Sequence, residues 1–153
     1  MDKSEQETAF ASAKALVEKV IGGLGVVAAA VRAKASEGQA NWTLQRGSAA
    51  ILVSVVQRDG TVHLRVISPM ATLPDVPRRE PLFRHLLELN AGGLSNVAFG
   101  LLNERVVAVS ERPAAGLGEG ELDHMIRHLG AVADTYDNRI VTDFGGKLAS
   151  DKS

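Results

Sequence analysis

The chain has 153 residues, of which 45% are hydrophobic and 23% are charged, and its 17 basic and 18 acidic residues give a net charge of −1. These proportions exclude a disordered chain and provide no overall field that would attract nucleic acid or an anionic membrane, so we expect one folded domain with a single core. The absence of cysteine excludes disulfides, thiolate chemistry and cysteine metal sites.

The first residues and the longest apolar run bear on the location of the protein. Residues 1–5 lack the basic stretch that leads into an apolar segment in a secretory signal. The run 20–31 is interrupted by glycines and is too short to span a bilayer. We therefore expect neither export nor membrane insertion, and the predicted compartment is the cytoplasm.

The first predicted element is an amphipathic helix. Ser4 and Glu7 have the spacing of a capping box, and apolar residues then recur at helical intervals. We expect the helix to end at Gly22 and Gly23, because glycine has no side chain and loses much backbone entropy when it is ordered. The segment 26–32 favours a helix through its alanines and a strand through its valines, and both assignments stay open.

Three strands are predicted to follow as an antiparallel meander. They cover about 41–46, 50–57 and 61–68, where apolar residues recur at every second position. Asp59 and Gly60 join the last two, because both residues tolerate the positive φ of a two-residue hairpin turn. A loop is expected next, where three prolines occur: Pro69, Pro74 and Pro77.

A second helix is predicted over about 80–90, with Pro81 in its first turn, where no backbone donor is needed. Its apolar residues occupy more of the circumference than one stripe against one sheet requires. This surplus predicts that the protein pairs with itself as a homodimer. The expected interface residues lie on this helix and the next strand: Phe83, Leu86, Leu87, Leu89, Phe99 and Leu101. The alternative is that both sides of the helix are buried within one subunit.

A second hairpin and a long helix complete the predicted order. The hairpin joins 96–102 to 105–110, and the last helix begins near Glu119. We assign 1–146 to a single domain and 147–153 to a disordered tail, because the end of the chain is polar and follows two glycines.

Short motifs follow one another along 41–144: Trp42-Thr43-Leu44 with Gly47-Ser48-Ala49; Ser68-Pro69 and Leu73-Pro74; Leu82 to Asn90; Val97 to Leu101; Glu111-Arg112-Pro113 with Gly116-Leu117; and Ala133-Asp134 with Tyr136-Asp137. In this order and spacing they resemble the YbjN family, a group with the fold of type III secretion chaperones. The resemblance implies an α+β fold in which helices pack on one curved antiparallel sheet. The order of elements is helix, three-stranded meander, helix, two-stranded hairpin, helix.

The resemblance also implies a homodimer without enzymatic activity that acts as a chaperone, adaptor or regulator. Secretion chaperones tend to be acidic, whereas this chain is nearly neutral, which favours a housekeeping partner over a secreted effector.

The residues themselves predict protein binding. Because no residues with catalytic spacing accompany the apolar surface, we expect no enzymatic activity and no cofactor. We predict that an unidentified client protein presents an extended or amphipathic segment to the sheet edge or to apolar surface beside the first helix. The expected contact residues are Phe10, Leu16, Val17 and Trp42.

A cluster of arginines suggests a second function. Arg78, Arg79 and Arg84 could hold phosphate and make the protein a nucleic-acid-associated regulatory module. Neighbouring acids, together with a single tryptophan and a single tyrosine, argue against a nucleic-acid partner.

Polar residues of the last helix suggest a third function. His124 and His128 lie four positions apart, a spacing that occurs in metal-dependent hydrolases. A metal site needs three or four ligands, so we expect these histidines to form a solvated face and to hold no metal. Asp134 and Asp137 are expected to be surface or capping acids.

Overall fold

A computed structural model gives the structure of residues 2–150. Within these residues the helices are α1 (Lys3–Gly23), α2 (Ala28–Val31), α3 (Val76–Ala91) and α4 (Glu119–Phe144). The strands are β1 (Arg32–Ala33), β2 (Gln39–Arg46), β3 (Ala49–Arg58), β4 (Thr61–Thr72), β5 (Ala98–Leu102) and β6 (Arg105–Pro113). They form a six-stranded sheet in the order β1-β2-β3-β4-β6-β5. The predicted α+β class is confirmed.

The chain divides into two compact units. The first unit contains Leu52–Val66, Glu111–Arg127 and the chain up to Leu44. The second unit contains Gln45–Ile51, Ile67–Ser110 and the chain from His128 onward. The assignment of 1–146 to a single domain stays a prediction.

In the first unit, α1 is capped two residues earlier than predicted. The Asp2 carboxylate accepts the backbone N–H of Glu5 at 2.8 Å, and the Glu5 carboxylate accepts the N–H of Asp2 at 3.2 Å. The predicted box of Ser4 and Glu7 is therefore wrong by two residues, because the helix already begins before Ser4. Its end at Gly23 agrees with the prediction.

The segment after α1 contains a helix and a strand, so both elements that the sequence left open are present. The single turn of α2 leads directly into β1, which pairs antiparallel with β2 through Arg32 opposite Trp42 and Ala33 opposite Asn41. The core of this unit is made of fully buried side chains: Val17, Ile21, Trp42, Val53, Val55, Leu64, Val66, Leu122 and Ile126.

Both predicted hairpin turns are confirmed. Asp59 and Gly60 have φ values of 52° and 77°, and Asn103 and Glu104 have 51° and 62°. Two consecutive positive φ angles give a turn whose twist matches that of the flanking strands. The hairpin of β5 and β6 is in register with Phe99 opposite Ala108.

In the second unit, β4 continues through Pro69, where the sequence predicted a loop. The Ser68 hydroxyl donates to the Ala50 carbonyl at 2.7 Å, and Met70 after the proline is buried. The predicted start of the loop is wrong because burial of the apolar residues beyond the proline keeps the strand in the core as far as Thr72.

Residues after α4 return to the end of β4. The Thr72 N–H donates to the Lys147 carbonyl at 2.8 Å, and the Ala149 N–H donates to the Met70 carbonyl at 2.9 Å. The structure thus differs from the predicted disordered tail over Lys147 to Ala149, because backbone hydrogen bonds hold this stretch. Residues 151–153 lie outside the described part of the chain.

Helix α3 begins four residues earlier than predicted. Pro77 occupies its first turn, where a missing N–H is not needed, and Pro81 lies inside the helix. The predicted start of α3 was too late because Pro77 and Pro81 both satisfy the rule that proline is tolerated in the first turn of a helix. None of the helices within residues 2–150 combines the length and hydrophobicity that crossing a bilayer requires.

Candidate functional site

An apolar groove of about 340 Å³ lies beside α1 in the first unit. Its α1 wall is formed by Ala9, Ala13 and Leu16, and its opposite wall by the loop 114–117 that follows β6. Thr61 and Val62 of β4 complete the lining together with Ser12. We call this feature the α1 groove. Small side chains on both walls leave the space open.

The loop wall of the α1 groove is held by backbone hydrogen bonds. The Ala114 N–H donates to the Val62 carbonyl at 2.9 Å, and the Leu117 N–H donates to the Ala114 carbonyl at 3.1 Å. Gly116 has a φ of 77°, which a residue without a side chain adopts easily. The groove is therefore preformed, which lowers the entropic cost of binding.

Residues that follow Leu16 and Leu117 along the chain form ion pairs. The Lys19 ammonium is 2.7 Å from the Glu119 carboxylate, whose hydrogen bond and charge raise the pKa of Lys19. The Glu121 carboxylate accepts the Gly118 N–H at 3.2 Å and pairs with Arg112 at 3.0 Å. The Gly118 hydrogen bond, followed by that of Arg112, lowers the pKa of Glu121. These charges neutralise one another, so the surroundings of the groove favour an apolar ligand.

The sheet is partly open along β2. The two residues of β1 cover only Asn41 and Trp42 of β2. Within the described residues, no strand opposes 43–46 on that side of β2. An extended peptide can add to such an edge through backbone hydrogen bonds.

The predicted client contacts do not all lie on a surface. Leu16 lines the α1 groove, whereas Phe10 is half-buried outside it, with the Lys14 ammonium 5.9 Å from its ring centre. Val17 and Trp42 are each 0% exposed. The prediction that these two residues contact a client is wrong for this structure, because both belong to the core of the first unit.

The predicted dimer residues also divide into two groups. Leu86 and Phe99 are buried within the subunit, and the Phe99 ring packs edge-on against Tyr136 at 5.5 Å. Leu87 is 68% exposed and Leu101 is 49% exposed. The prediction that Leu86 and Phe99 form a dimer interface is wrong for this structure, because α3 packs on β5 and both side chains are buried within the subunit.

The remaining apolar surface of α3 and β5 is called the α3 patch. We define it by the exposed Leu87 and Leu101 together with the half-buried Phe83 and Leu89. A shallow depression on α3 includes Phe83 and Leu87. Leu102, which the sequence prediction omitted, is 47% exposed and alternates with Leu101 along β5, so it points to the other face.

The three arginines of the predicted anion site lie on α3 without forming one cluster of free charges. Arg79 donates to the Pro74 carbonyl at 2.9 Å and lies 3.5 Å from the Glu104 carboxylate. Arg84 pairs with Glu88 at 3.3 Å, one helical turn away. Arg78 is exposed and lies beside Gly145.

The histidines of α4 differ in their surroundings. His124 is exposed, whereas His128 is half-buried with Nε2 2.7 Å from the Leu94 carbonyl oxygen. A carbonyl can only accept, so Nε2 carries the hydrogen in this contact. Within residues 2–150, no three histidine, aspartate or glutamate side chains are placed to hold one metal ion.

Asp137 is buried on α4, and the prediction of a surface acid is wrong for this residue. Burial raises its pKa above the ordinary 3.8, the Asn138 N–H at 2.6 Å opposes this shift, and the charge of Asp134 adds to it. Asp134 is exposed and accepts a hydrogen bond from the Ser48 hydroxyl at 2.7 Å.

Replacing Asp137 with asparagine is expected to stabilise the protein near neutral pH. The native carboxyl titrates above 3.8, its value in the unfolded chain, so the native state binds more protons between the two pKa values and stability falls as pH rises through that window. Above the window the native protein contains a buried charge that asparagine lacks. The melting temperature of the variant should exceed that of wild type at about pH 7 and equal it at about pH 3.

The exposed acid Asp143 on the same helix provides the matched control. Asp143→Asn should leave the melting temperature nearly unchanged at both pH values. A stabilisation by Asp137→Asn that is the same at both values would contradict the assigned cause.

The family model described as T3SS (YopN, CesT) and YbjN peptide-binding chaperone 1, TY-Chap1, matches residues 12–152. The chain belongs to this family. The resemblance to YbjN proteins and type III secretion chaperones is therefore confirmed, and this TY-Chap1 chain has the fold of a peptide-binding chaperone. The family is not an enzyme class. No curated protein sequence is significantly similar to the chain.

Solved structures share the fold of this TY-Chap1 chain at low sequence identity. The ExsC-ExsE complex matches with a TM-score of 0.62 and 15% identity, over 84% of this chain and 92% of that one. The HopA1-SchA chaperone-effector complex matches at 0.55 and 16%, over 82% and 92%. The heterodimeric complex ExoU-SpcU from the type III secretion system of Pseudomonas aeruginosa matches at 0.56 and 12%, over 80% and 95%.

Sequence reasoning missed the second wall of the α1 groove in this TY-Chap1 chain. The loop 114–117 consists of two alanines, a glycine and a leucine directly after a strand that ends at Pro113. A run of small residues bounded by proline marks a loop, but which helix lies opposite depends on the tertiary fold. Only Leu16 among the predicted contacts lines the groove.

Proposed function

We propose that this protein is a non-enzymatic, cytoplasmic chaperone-like adaptor or regulator that works as a homodimer and binds a segment of a client protein in the α1 groove. The observation that carries the proposal is the preformed apolar groove in a chain of a peptide-binding family. The similar structures named as a chaperone-effector complex and as other two-protein complexes support a protein as the client.

The client binds with its apolar side chains in the groove; an extended segment can instead add its backbone to β2 at 43–46. Leu16 supplies the largest α1 side chain in the lining, and Ala9 and Ala13 leave room beside it. Lys19, three residues after Leu16 on α1, is paired with Glu119, so an apolar side chain buried beside Leu16 need not separate this charge pair.

The second copy of the chain binds at the α3 patch. Leu87 on α3 and Leu101 on the edge strand are large apolar side chains exposed to solvent, as is typical of a protein interface. A twofold interface uses the same patch on both subunits, and about 1,600 Å² of buried surface is typical of a stable complex.

The two alternative functions lack a comparable feature. Arg79 and Arg84 are each engaged with a glutamate, which lowers their availability for phosphate. Within residues 2–150, no third histidine, aspartate or glutamate is placed to complete a metal site with His124 and His128. Neither a nucleic-acid module nor a metal-dependent hydrolase is proposed.

Leu16→Asp tests the client-binding groove. Short random peptides displayed on phage are selected on the wild-type protein, and the enriched peptides are then measured against the variant. We expect apolar peptides whose affinity falls about tenfold or more in Leu16→Asp, because the variant places a charge where an apolar side chain is buried.

Ala11→Asp serves as the matched control, since it introduces the same charge on the exposed side of α1 and lies outside the groove lining. Circular dichroism verifies that both variants keep their helices. The groove assignment fails if the enriched peptides bind Leu16→Asp as tightly as they bind Ala11→Asp.

A further inference from the structure

Strand β5 lies at one edge of the six-stranded sheet, so one side of its backbone has no strand partner among the described residues. Its other side pairs antiparallel with β6. Along such a strand, alternate residues direct both their N–H and their C=O to the same side. An open edge of this kind can pair with a strand of another molecule.

Asn90, in the last turn of α3, occupies this open side at Phe99. Its Nδ2 donates to the Phe99 carbonyl at 3.1 Å, and its Oδ1 accepts the Phe99 N–H at 2.8 Å. A side-chain amide presents one donor and one acceptor in a plane, as a residue of a neighbouring strand does. Only this orientation of the amide satisfies both Phe99 groups, because a backbone N–H cannot accept and a carbonyl cannot donate.

The cap leaves little of the edge uncovered. By alternation, Leu101 is the next residue whose backbone groups point away from β6. The strand ends one residue later in the turn of Asn103 and Glu104, and the Glu104 carbonyl accepts the Leu73 N–H at 3.1 Å. Strand addition is stabilised by each such residue, and with Phe99 capped only Leu101 remains.

We propose that Asn90 closes the β5 edge to strand addition by standing in for a neighbouring strand. The edge at 43–46 of β2 has no such cap in the described structure and stays available to an extended segment. Two open edges on one chain would allow β5 of one molecule to pair with β2 of the next, a head-to-tail contact that does not close and leads to open-ended assembly. The cap thus restricts a second copy of this chain to side-chain contacts at the α3 patch, and only this last consequence rests on the proposed homodimer.

The test compares wild type with Asn90→Ala, using a biotin-labelled synthetic peptide that copies β2, Gln39–Arg46, as the probe. We expect the peptide to bind the variant about tenfold more tightly than wild type, and the variant to grow in mass with concentration. Asn138→Ala is the matched control, because it makes the same substitution at an exposed position of α4 and should behave like wild type. Equal peptide binding by all three proteins would overturn the proposal.

A measurement on wild type alone covers the case in which Asn90→Ala does not fold. Amide hydrogen exchange should be at least about tenfold slower at Phe99 than at Leu101, because the cap protects the first N–H and leaves the second open. Equal exchange at the two amides would refute the cap. The peptide comparison uses proteins that share the same α3 patch, and the exchange comparison is made at a concentration at which sedimentation shows single chains, so failure of the homodimer and failure of the cap are distinguishable.

Discussion

Replacing Trp42 with alanine is expected to lower the free energy of unfolding by about 3–5 kcal/mol. The indole is 0% exposed in the core of the first unit, so truncation removes a large apolar group and leaves a cavity. Urea denaturation followed by circular dichroism measures the loss as a shift in the midpoint at constant slope. If Trp42 contacted a client directly, Trp42→Ala would instead weaken client binding without changing the free energy of unfolding.

Two further variants separate packing from other causes. Trp42→Phe should cost less than Trp42→Ala, because it refills part of the volume and removes the Nε1–H group, which has no hydrogen-bond partner within the described structure. Phe10→Ala, at a half-buried position on α1, should also cost less. Similar losses for Phe10→Ala and Trp42→Ala would show that Trp42 does not anchor the core.

Leu87→Asp is expected to convert a homodimer into a monomer. Truncation or charge insertion at the centre of an interface commonly costs about 2 kcal/mol or more. Because a twofold interface contains each residue twice, the loss is about 4 kcal/mol, which is roughly a thousandfold weaker dimer. Sedimentation equilibrium of both proteins over a range of concentrations measures the change.

Val27→Asp is the matched control for this experiment. Val27 is 71% exposed and Leu87 is 68% exposed, and Val27 lies in the first unit, outside the α3 patch. This variant should remain dimeric and keep its melting temperature. A wild-type protein that sediments as a single chain at high concentration would rule out the homodimer.

Much of the fold could be predicted because local residues dictate it. Asp59 with Gly60 and Asn103 with Glu104 can adopt the backbone angles of tight turns, so both hairpins follow from the sequence. The ends of elements were harder, since Pro77 and Pro81 both satisfy the rule for a first helical turn and only the packed structure selects Pro77.

The candidate site could be predicted only in part, because burial depends on tertiary contacts. Adjacent residues of a helix differ by about 100° in direction, which separates Leu16 in the groove from Val17 in the core. Likewise, an asparagine near the end of a helix indicates a cap of that helix, whereas Asn90 caps a strand. An acid on a helix indicates solvent, whereas Asp137 is buried.

The burial of Trp42 also equips the protein with an internal optical reporter. The chain has no other tryptophan, so its intrinsic indole emission arises from one position. Emission from an indole shielded from water is shifted to shorter wavelength. A peptide that docks in the α1 groove leaves this shielding intact, whereas opening of the first unit removes it, and the emission spectrum of the unlabelled protein separates the two events.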